Sequence, residues 1–134
     1  MSGVYGFEPI PANANGNIGT ALFVKLTSTG WGVATVTGER VDGVSSDAAL
    51  NAPIPSQTTQ YAGEANLPMK VIPPGNIALV TVGTGGITVG TRVMTDSDGT
   101  CIAATTTKMA AGLALETAAA GVLARVRLEN TYFA

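Results

Sequence analysis

The sequence predicts a mainly β protein, a single small barrel-like or sandwich-like domain with little helix that follows an extended arm. The chain has 134 residues, the length of one domain. Short apolar runs alternate with glycine-, proline- and asparagine-rich turn signals at roughly the eight-to-twelve-residue spacing typical of small β-barrels and sandwiches. Hydrophobic residues make up 46% of the chain and charged residues only 12%, against about 25% charged in ordinary domains. Such a weakly charged surface suits a protein that is covered by partners.

Residues 1–17 are expected to form the arm, and residues 18–134 the domain. The prolines favour extended backbone, and the asparagines and glycine that follow favour turns. Four apolar residues in so short a stretch leave two interpretations: a first strand packed on the chain's own core, or an arm that packs on another chain. The candidate contact residues are Val4, Tyr5, Phe7, Pro9, Ile10 and Pro11.

The first predicted strands form a β-hairpin. An apolar run at 21–27 is followed by a Ser-Thr-Gly turn and by an alternating run at 31–37, which Gly38 ends. A short strand at 41–44 comes next. Residues 45–60 show no clear period, apart from one possible helical turn at 46–50, and long loops of this kind usually serve a partner.

The second half predicts strands at 67–72, 76–82, 87–95, 101–103, 109–116 and 122–128. In the last run Val122, Ala124, Val126 and Leu128 face one way, while Arg125 and Arg127 face the other. Alanine is plentiful enough for a competing helix over 108–128, but the glycines at 112 and 121 count against it.

Composition excludes several chemistries. The chain has no histidine and one cysteine, Cys101, so imidazole catalysis, an internal disulfide and a cysteine metal cluster are all excluded. Cys101 is expected to be a small core residue, and Trp31 a core anchor or, second, an interface anchor. With a net charge of −2, the chain lacks the excess of basic residues that binds a nucleic-acid backbone. No apolar run is long enough for a membrane span, and the amino terminus lacks a signal-peptide pattern.

The sequence contains only partial matches to motifs for phosphate binding, calcium binding or catalysis. The glycine-rich stretch 83–86 is followed by a predicted strand and not by a helix, so it does not fit a phosphate loop. Asp96-Ser97-Asp98-Gly99 lacks the remaining ligands of a calcium loop and is interpreted as an Asx-type turn with Gly99 at positive φ. Paired carboxylates remain conceivable for glycoside hydrolysis, without a recognisable setting. The candidates are Glu39 with Asp42, Asp47, Glu64 or Glu116.

The order of several short motifs resembles a known family. The motifs are Val41-Asp42-Gly43-Val44, Gly75–Val80, Gly86–Val93, Thr95–Gly99, Ala111–Glu116 and Gly121–Leu128. Over residues 20–128 this order resembles the head-decoration, or capsid cement, proteins of tailed bacteriophages. Residues 1–17 and 45–60 match none of its motifs.

The resemblance implies a β-tulip type of fold and a homotrimer that binds the major capsid protein on the outer surface of an expanded capsid. There it would stabilise the virion against the pressure of packaged DNA, after synthesis in the host cytoplasm. The arm residues named above would be the capsid contact. No catalytic residue, metal, cofactor, small-molecule substrate, nucleic acid or membrane is expected. Two alternatives stay open: another β-rich phage part, such as a tail or head-completion protein, and a small enzyme or carbohydrate-binding module.

Overall fold

The computed structural model describes residues 14–16, 18–45 and 71–133. Within these ranges it contains nine strands and no helix. Among the described residues, therefore, none forms a helix long and apolar enough to cross a membrane. The strands are β1 (Phe23–Thr27), β2 (Gly30–Val33), β3 (Gly43–Ser45), β4 (Val71–Ile72), β5 (Ile77–Thr81), β6 (Arg92–Thr95), β7 (Cys101–Ala103), β8 (Lys108–Ala114) and β9 (Leu123–Phe133).

Two antiparallel sheets make up the described part of the domain. The first has the order β2-β1-β3-β4, and the second has the order β5-β9-β8-β6-β7. The sheets meet where the backbone N–H of Thr81 donates to the carbonyl of Ala21 at 2.8 Å and that of Phe23 donates to Gly99 at 2.8 Å. The predicted mainly β class is confirmed, as a pair of sheets that do not close into a barrel.

The predicted hairpin is β1–β2, with Leu26 opposite Trp31 and Thr27 opposite Gly30. β2 ends at Val33 instead of continuing to Thr37. The chain turns away there because the Glu39 carboxylate accepts the backbone N–H groups of residues 35 and 36, and Gly38 has a φ of 74°. The strand was therefore predicted too long. The backbone N–H groups of Thr35 and Val36 donate to the Glu39 side chain and not to a neighbouring strand.

The predicted strand over 87–95 is also shorter, because β6 begins only at Arg92. Ile87 instead forms an isolated bridge with Ala118, and Gly90 has a φ of 83°, which a strand does not accommodate. The competing helix over 108–128 is absent, since this stretch lies in β8, in β9 and in the connection between them. β9 extends five residues beyond the predicted end at Leu128.

The start of β1 is buried on both faces, because the described part of the domain has two apolar clusters. Phe23 points into the main core between the sheets, and its neighbour Val24 points into a second cluster on the opposite side. We call this second cluster the Trp31 cluster. It comprises Ala14, Ile18, Val24, Trp31 and Val71, with Val33 packed against it.

The main core lies between the two sheets and is lined by both. The inward side of β9 contributes Ala124, Val126 and Leu128, as its alternation predicts, whereas Val122 lies before the strand and is half exposed. Cys101 is fully buried in this core, as the sequence predicts. The remaining buried members are Phe23, Ala34, Val41, Val44, Ala78, Val80, Val82, Ile87, Val93, Ala111 and Ala114.

Candidate interaction surface

The arm residues singled out in the sequence, Val4 to Pro11, lie outside the described residues. Of the expected arm, the structure describes residues 14–16. Ala14 is buried and forms a parallel bridge with Trp31, and the N–H of Asn15 donates to the Trp31 carbonyl at 2.7 Å. At this point the chain is therefore anchored to β2, at the edge of the first sheet.

The Trp31 cluster marks the place where the chain enters the described part of the fold. Ala14 and Ile18 lie at the first entry and Val71 at the second, and all three pack in this cluster. Trp31 itself is fully buried, as expected for a core anchor, and its indole N–H has no hydrogen-bond partner among the described residues.

The outer face of β5 and β9 carries large exposed apolar side chains. Ile77 is 57% exposed, and Leu79 and Leu123 are each 47% exposed. The register places Ile77 opposite Arg127 and Leu79 opposite Arg125, so the two arginines share this face. We call this surface, made of Ile77, Leu79, Leu123, Arg125 and Arg127, the β5–β9 patch.

A shallow groove of about 270 Å³ runs beside the patch. It lies between β5 and the neighbouring ends of β3 and β4, where the two sheets stay apart. Its walls are mainly apolar, with two hydroxyl side chains at one end. The lining residues are Thr20, Ala21, Ser45, Ile72, Ile77, Ala78, Leu79 and Leu123.

Among the described residues, β5 has no partner strand on the side that faces this groove. The backbone hydrogen bonds to β9 fall on the even-numbered positions: Val82 N–H donates to the Val122 carbonyl at 2.9 Å, and Leu128 N–H donates to the Asn76 carbonyl at 2.8 Å. The backbone groups of Ile77 and Leu79 must therefore point away from β9, and none of the described residues hydrogen-bonds them. An edge with apolar side chains and unpaired backbone groups is a template for another strand.

Three carboxylates, those of Glu39, Glu116 and Asp42, have structural roles. Lys25 Nζ lies 3.0 Å from Glu39 Oε1, and Arg125 Nε donates to Glu116 Oε2 at 2.8 Å. Asp42 accepts the backbone N–H of Leu26 at 2.9 Å. Of the five carboxylates considered for glycoside hydrolysis, these three form ion pairs or hydrogen bonds within the fold. The other two, Asp47 and Glu64, lie outside the described residues.

The Asp96–Gly99 turn is an Asx-type turn, as predicted. Asp96 accepts the N–H of Ser97 at 2.8 Å, Asp98 accepts the N–H of Thr100 at 3.1 Å, and Gly99 has a φ of 82°. The hydrogen bond from the Thr100 hydroxyl lowers the pKa of Asp98 below its ordinary value. Across the part of the chain that the structure describes, no group of three or more metal-ligating side chains comes together.

Sequence reasoning missed the apolar members of the patch. The exposure of Leu123 could have been predicted. Leu123 is two residues before Arg125 and four before Arg127, and the alternation of β9 already placed both arginines on the outer face. Ile77 and Leu79 carried no such signal, since the run 76–82 is apolar almost throughout and its outer face depends on the position of β9.

Comparison with known proteins finds a solved structure with a similar fold. No protein-family model matches the chain, and no curated protein matches it. Among solved structures, it is similar to the N base of the head fiber protein gp8.5 of bacteriophage phi29, with a TM-score of 0.68 at 18% sequence identity. The alignment covers 91% of this chain and 93% of that one. At this identity the likeness establishes a shared fold over nearly the whole of both chains.

Proposed function

We propose that this chain is a structural protein of a phage head, and specifically a capsid decoration protein on the outer surface of the expanded shell. The observation that carries the proposal is the shared fold with the base of a phage head fiber, which spans 91% of the chain. The motif order in residues 20–128 points to the same class of protein independently of that comparison. The two together favour a head-associated structural role over an enzyme.

The surface chemistry supports a protein that works by packing. Charged residues are few, and the described domain exposes Ile77, Leu79 and Leu123 on one patch beside a free strand edge. Apolar area removed from water contributes roughly 25 cal/mol per Å². A protein that reinforces a shell needs such area more than it needs reactive groups.

The finer proposal is that the protein sits on the shell as a homotrimer and contacts the major capsid protein through its amino-terminal residues. Those contact residues are Val4, Tyr5, Phe7, Pro9, Ile10 and Pro11. Pro9 and Pro11 limit the conformational entropy that is lost when the segment becomes ordered. The anchor at Ala14 supports this assignment, because a segment tied to a sheet edge transmits load from the shell to the folded domain.

Co-sedimentation tests this function. Purified protein is mixed with empty expanded capsids of the phage it comes from and, separately, with its procapsids. We expect saturable binding to expanded capsids and much weaker binding to procapsids. Absence of binding to expanded capsids, with the protein folded by circular dichroism, would overturn the proposal.

The contact residues are tested with a paired substitution. Tyr5→Ser together with Phe7→Ser should weaken capsid binding at least tenfold, because two aromatic anchors are lost. The matched control is Val89→Ser, which removes an exposed apolar side chain elsewhere and should leave binding unchanged. Equal binding by the Tyr5/Phe7 variant would rule out the amino-terminal contact while leaving the decoration role open.

The trimer is tested by light scattering of the free protein and by electron microscopy of decorated capsids. Single copies on the lattice, together with a monomer in solution, would overturn it.

A further inference from the structure

We infer that Asn15 is a site of spontaneous deamidation, and that its conversion to aspartate or isoaspartate loosens the attachment of the chain to β2. The inference does not depend on the proposed function. It rests on the residue that follows Asn15, on the exposure of Asn15, and on the direction of the hydrogen bonds that its side chain makes.

The residue after Asn15 favours the reaction. Asn15 is the one asparagine in the sequence that a glycine follows. In deamidation the backbone nitrogen of the next residue attacks the asparagine side chain. A glycine hinders this approach least, because it has no Cβ and the widest range of backbone conformations. A Cβ added at Gly16 would meet nothing within 4 Å, so the surrounding fold leaves room on this side of the backbone.

The reaction needs water as its only other reactant. The Gly16 nitrogen forms a bond to Asn15 Cγ while the bond from Cγ to Nδ2 breaks, and ammonia leaves with the proton of the Gly16 nitrogen. Water then opens the five-membered succinimide at either of its two carbonyls. One product is aspartate. The other is isoaspartate, in which the backbone runs through the side chain and is one methylene longer.

Asn15 is accessible in the folded protein, because it is exposed and lies in a bend outside the strands. Two other asparagines of the described residues, Asn76 and Asn130, are less exposed, and a β-branched residue follows each of them. Branching at Cβ crowds the backbone nitrogen that would attack. Asn130 Nδ2 also donates to the Val41 carbonyl at 2.8 Å. These two side chains should therefore persist under conditions in which Asn15 reacts.

The surroundings of the Asn15 side chain require a hydrogen-bond donor. Asn15 Nδ2 donates to Thr27 Oγ1 at 3.0 Å and to the Gly30 carbonyl oxygen at 3.5 Å. The Thr27 hydroxyl donates its own hydrogen to the same Gly30 carbonyl at 2.8 Å. A carboxylate accepts hydrogen bonds and donates none. The product would therefore place a charged oxygen against the Gly30 carbonyl, or take the Thr27 hydroxyl away from it.

The same residue also attaches the backbone to β2. Asn15 N–H donates to the Trp31 carbonyl at 2.7 Å, and the neighbouring Ala14 forms its bridge with Trp31. Deamidation removes the side-chain donor beside this bond, and isoaspartate also lengthens the backbone next to it. Both products should therefore weaken the attachment at the edge of the first sheet.

Peptide mapping tests the modification. The folded protein is kept at pH 8 and sampled over days, and the tryptic peptide 1–25 is sequenced by mass spectrometry. We expect the replacement of an amide by a carboxyl group at Asn15, with isoaspartate among the products. Asn13 and Asn17 lie in the same peptide and are followed by alanine and isoleucine, so they serve as internal references and should change much more slowly.

Gly16→Ala is the matched control, because it keeps the Asn15 side chain and hinders only the attacking nitrogen. It should slow the conversion of Asn15 at least fivefold. Equal rates in the two proteins would overturn the inference. A natural chain that converts at Asn15 only after it is unfolded in urea would also overturn it.

Asn15→Asp carries one product from the start and tests the loosening. Exchange of the residue 15 backbone amide hydrogen, followed by NMR, should be at least tenfold faster in this variant. The Val82 N–H, which donates to Val122 in the second sheet, should exchange at the same rate in both proteins. Unchanged exchange at residue 15 would contradict the loosening, and faster exchange at both residues would show a global loss of stability in its place.

Discussion

Glu39 and Lys25 form a partly buried ion pair, with 3.0 Å between Lys25 Nζ and Glu39 Oε1. The other carboxylate oxygen, Oε2, accepts the backbone N–H of Thr35 at 2.9 Å and that of Val36 at 2.7 Å. One side chain thereby satisfies the backbone at the point where the chain leaves β2, and ties that loop to β1. The arrangement fixes the path of the chain from β2 towards β3, which lies on the other side of β1 in the same sheet.

This arrangement predicts a pH-dependent contribution to stability. Burial by itself raises the pKa of Glu39, but the hydrogen bonds from Val36, Lys25 and Thr35 outweigh it and lower the pKa below its ordinary value. A carboxyl group with a lowered folded-state pKa stabilises the fold above its unfolded-state pKa, and the contribution is lost as the pH falls through the folded-state value. Glu39→Gln should lower the free energy of unfolding by about 1–2 kcal/mol at neutral pH, and by less near pH 3.

Urea denaturation at the two pH values measures this difference. Glu116→Gln is the control, because its pair with Arg125 is exposed to solvent and should contribute less. An effect of Glu39→Gln that is the same at both pH values would contradict the role of the ionised carboxylate.

The fold should be destabilised less by loss of the Trp31 indole N–H than by loss of the volume of its ring. The ring is fully buried, and none of the described residues accepts a hydrogen bond from its N–H. Trp31→Ala should cost about 3–5 kcal/mol, whereas Trp31→Phe removes a buried polar group as well as volume and should cost less than about 2 kcal/mol. Trp31→Tyr, which introduces a hydroxyl, is expected to be worse than Trp31→Phe. Urea denaturation followed by circular dichroism ranks the three variants, and equal cost for alanine and phenylalanine would refute the explanation.

Gly112 should not accept any side chain. It lies in β8 beside a register irregularity, and a Cβ there would meet the carbonyl oxygen of Arg127 and lie 2.6 Å from Val126 Cγ1. β8 is held between β9 and β6, so the backbone has no direction in which to move. Gly112→Ala should therefore destabilise the protein by about 3 kcal/mol, as measured by thermal unfolding. Gly16→Ala, where a Cβ meets nothing within 4 Å, should change stability by less than about 0.5 kcal/mol.

The thiol of Cys101 should be inert in the folded protein. Burial raises its pKa to about 12, and the thiolate is the form that reacts. Because the chain has one cysteine, labelling with a thiol reagent at pH 8 should give no signal in native buffer and one equivalent in denaturant. Fast labelling under native conditions would mean that the core around Cys101 opens readily.

Binding to capsids, under the proposed function, should be nearly independent of pH and chelators. The chain has no histidine to titrate between pH 5 and 8. Its charges are few and of both signs, so retention should change little between about 50 mM and about 500 mM salt. Co-sedimentation across pH 5 to 8, with and without EDTA, measures this. Release by EDTA, or a sharp loss near pH 6 from capsids that are themselves unchanged, would assign the binding energy to other groups.

The amino-acid sequence by itself determined the mainly β class, the β1–β2 hairpin, the Asp96–Gly99 turn and the two faces of β9 up to Leu128. These features are local: alternation sets which side chains share a face, and glycine and aspartate set the turns. It also singled out the amino-terminal residues, whose role stays a prediction.

Only the tertiary structure decided which strands lie side by side and which backbone groups are left unpaired. Among the described residues, β5 is an edge because β9 pairs with one of its sides while the sheets stay apart on the other. No run of residues encodes that separation. Likewise, Ile77 and Leu79 are exposed because β9 holds the even-numbered residues of β5 against the core. Burial depends on strands that are distant in sequence, so the β5–β9 patch could be identified only once those strands were in place.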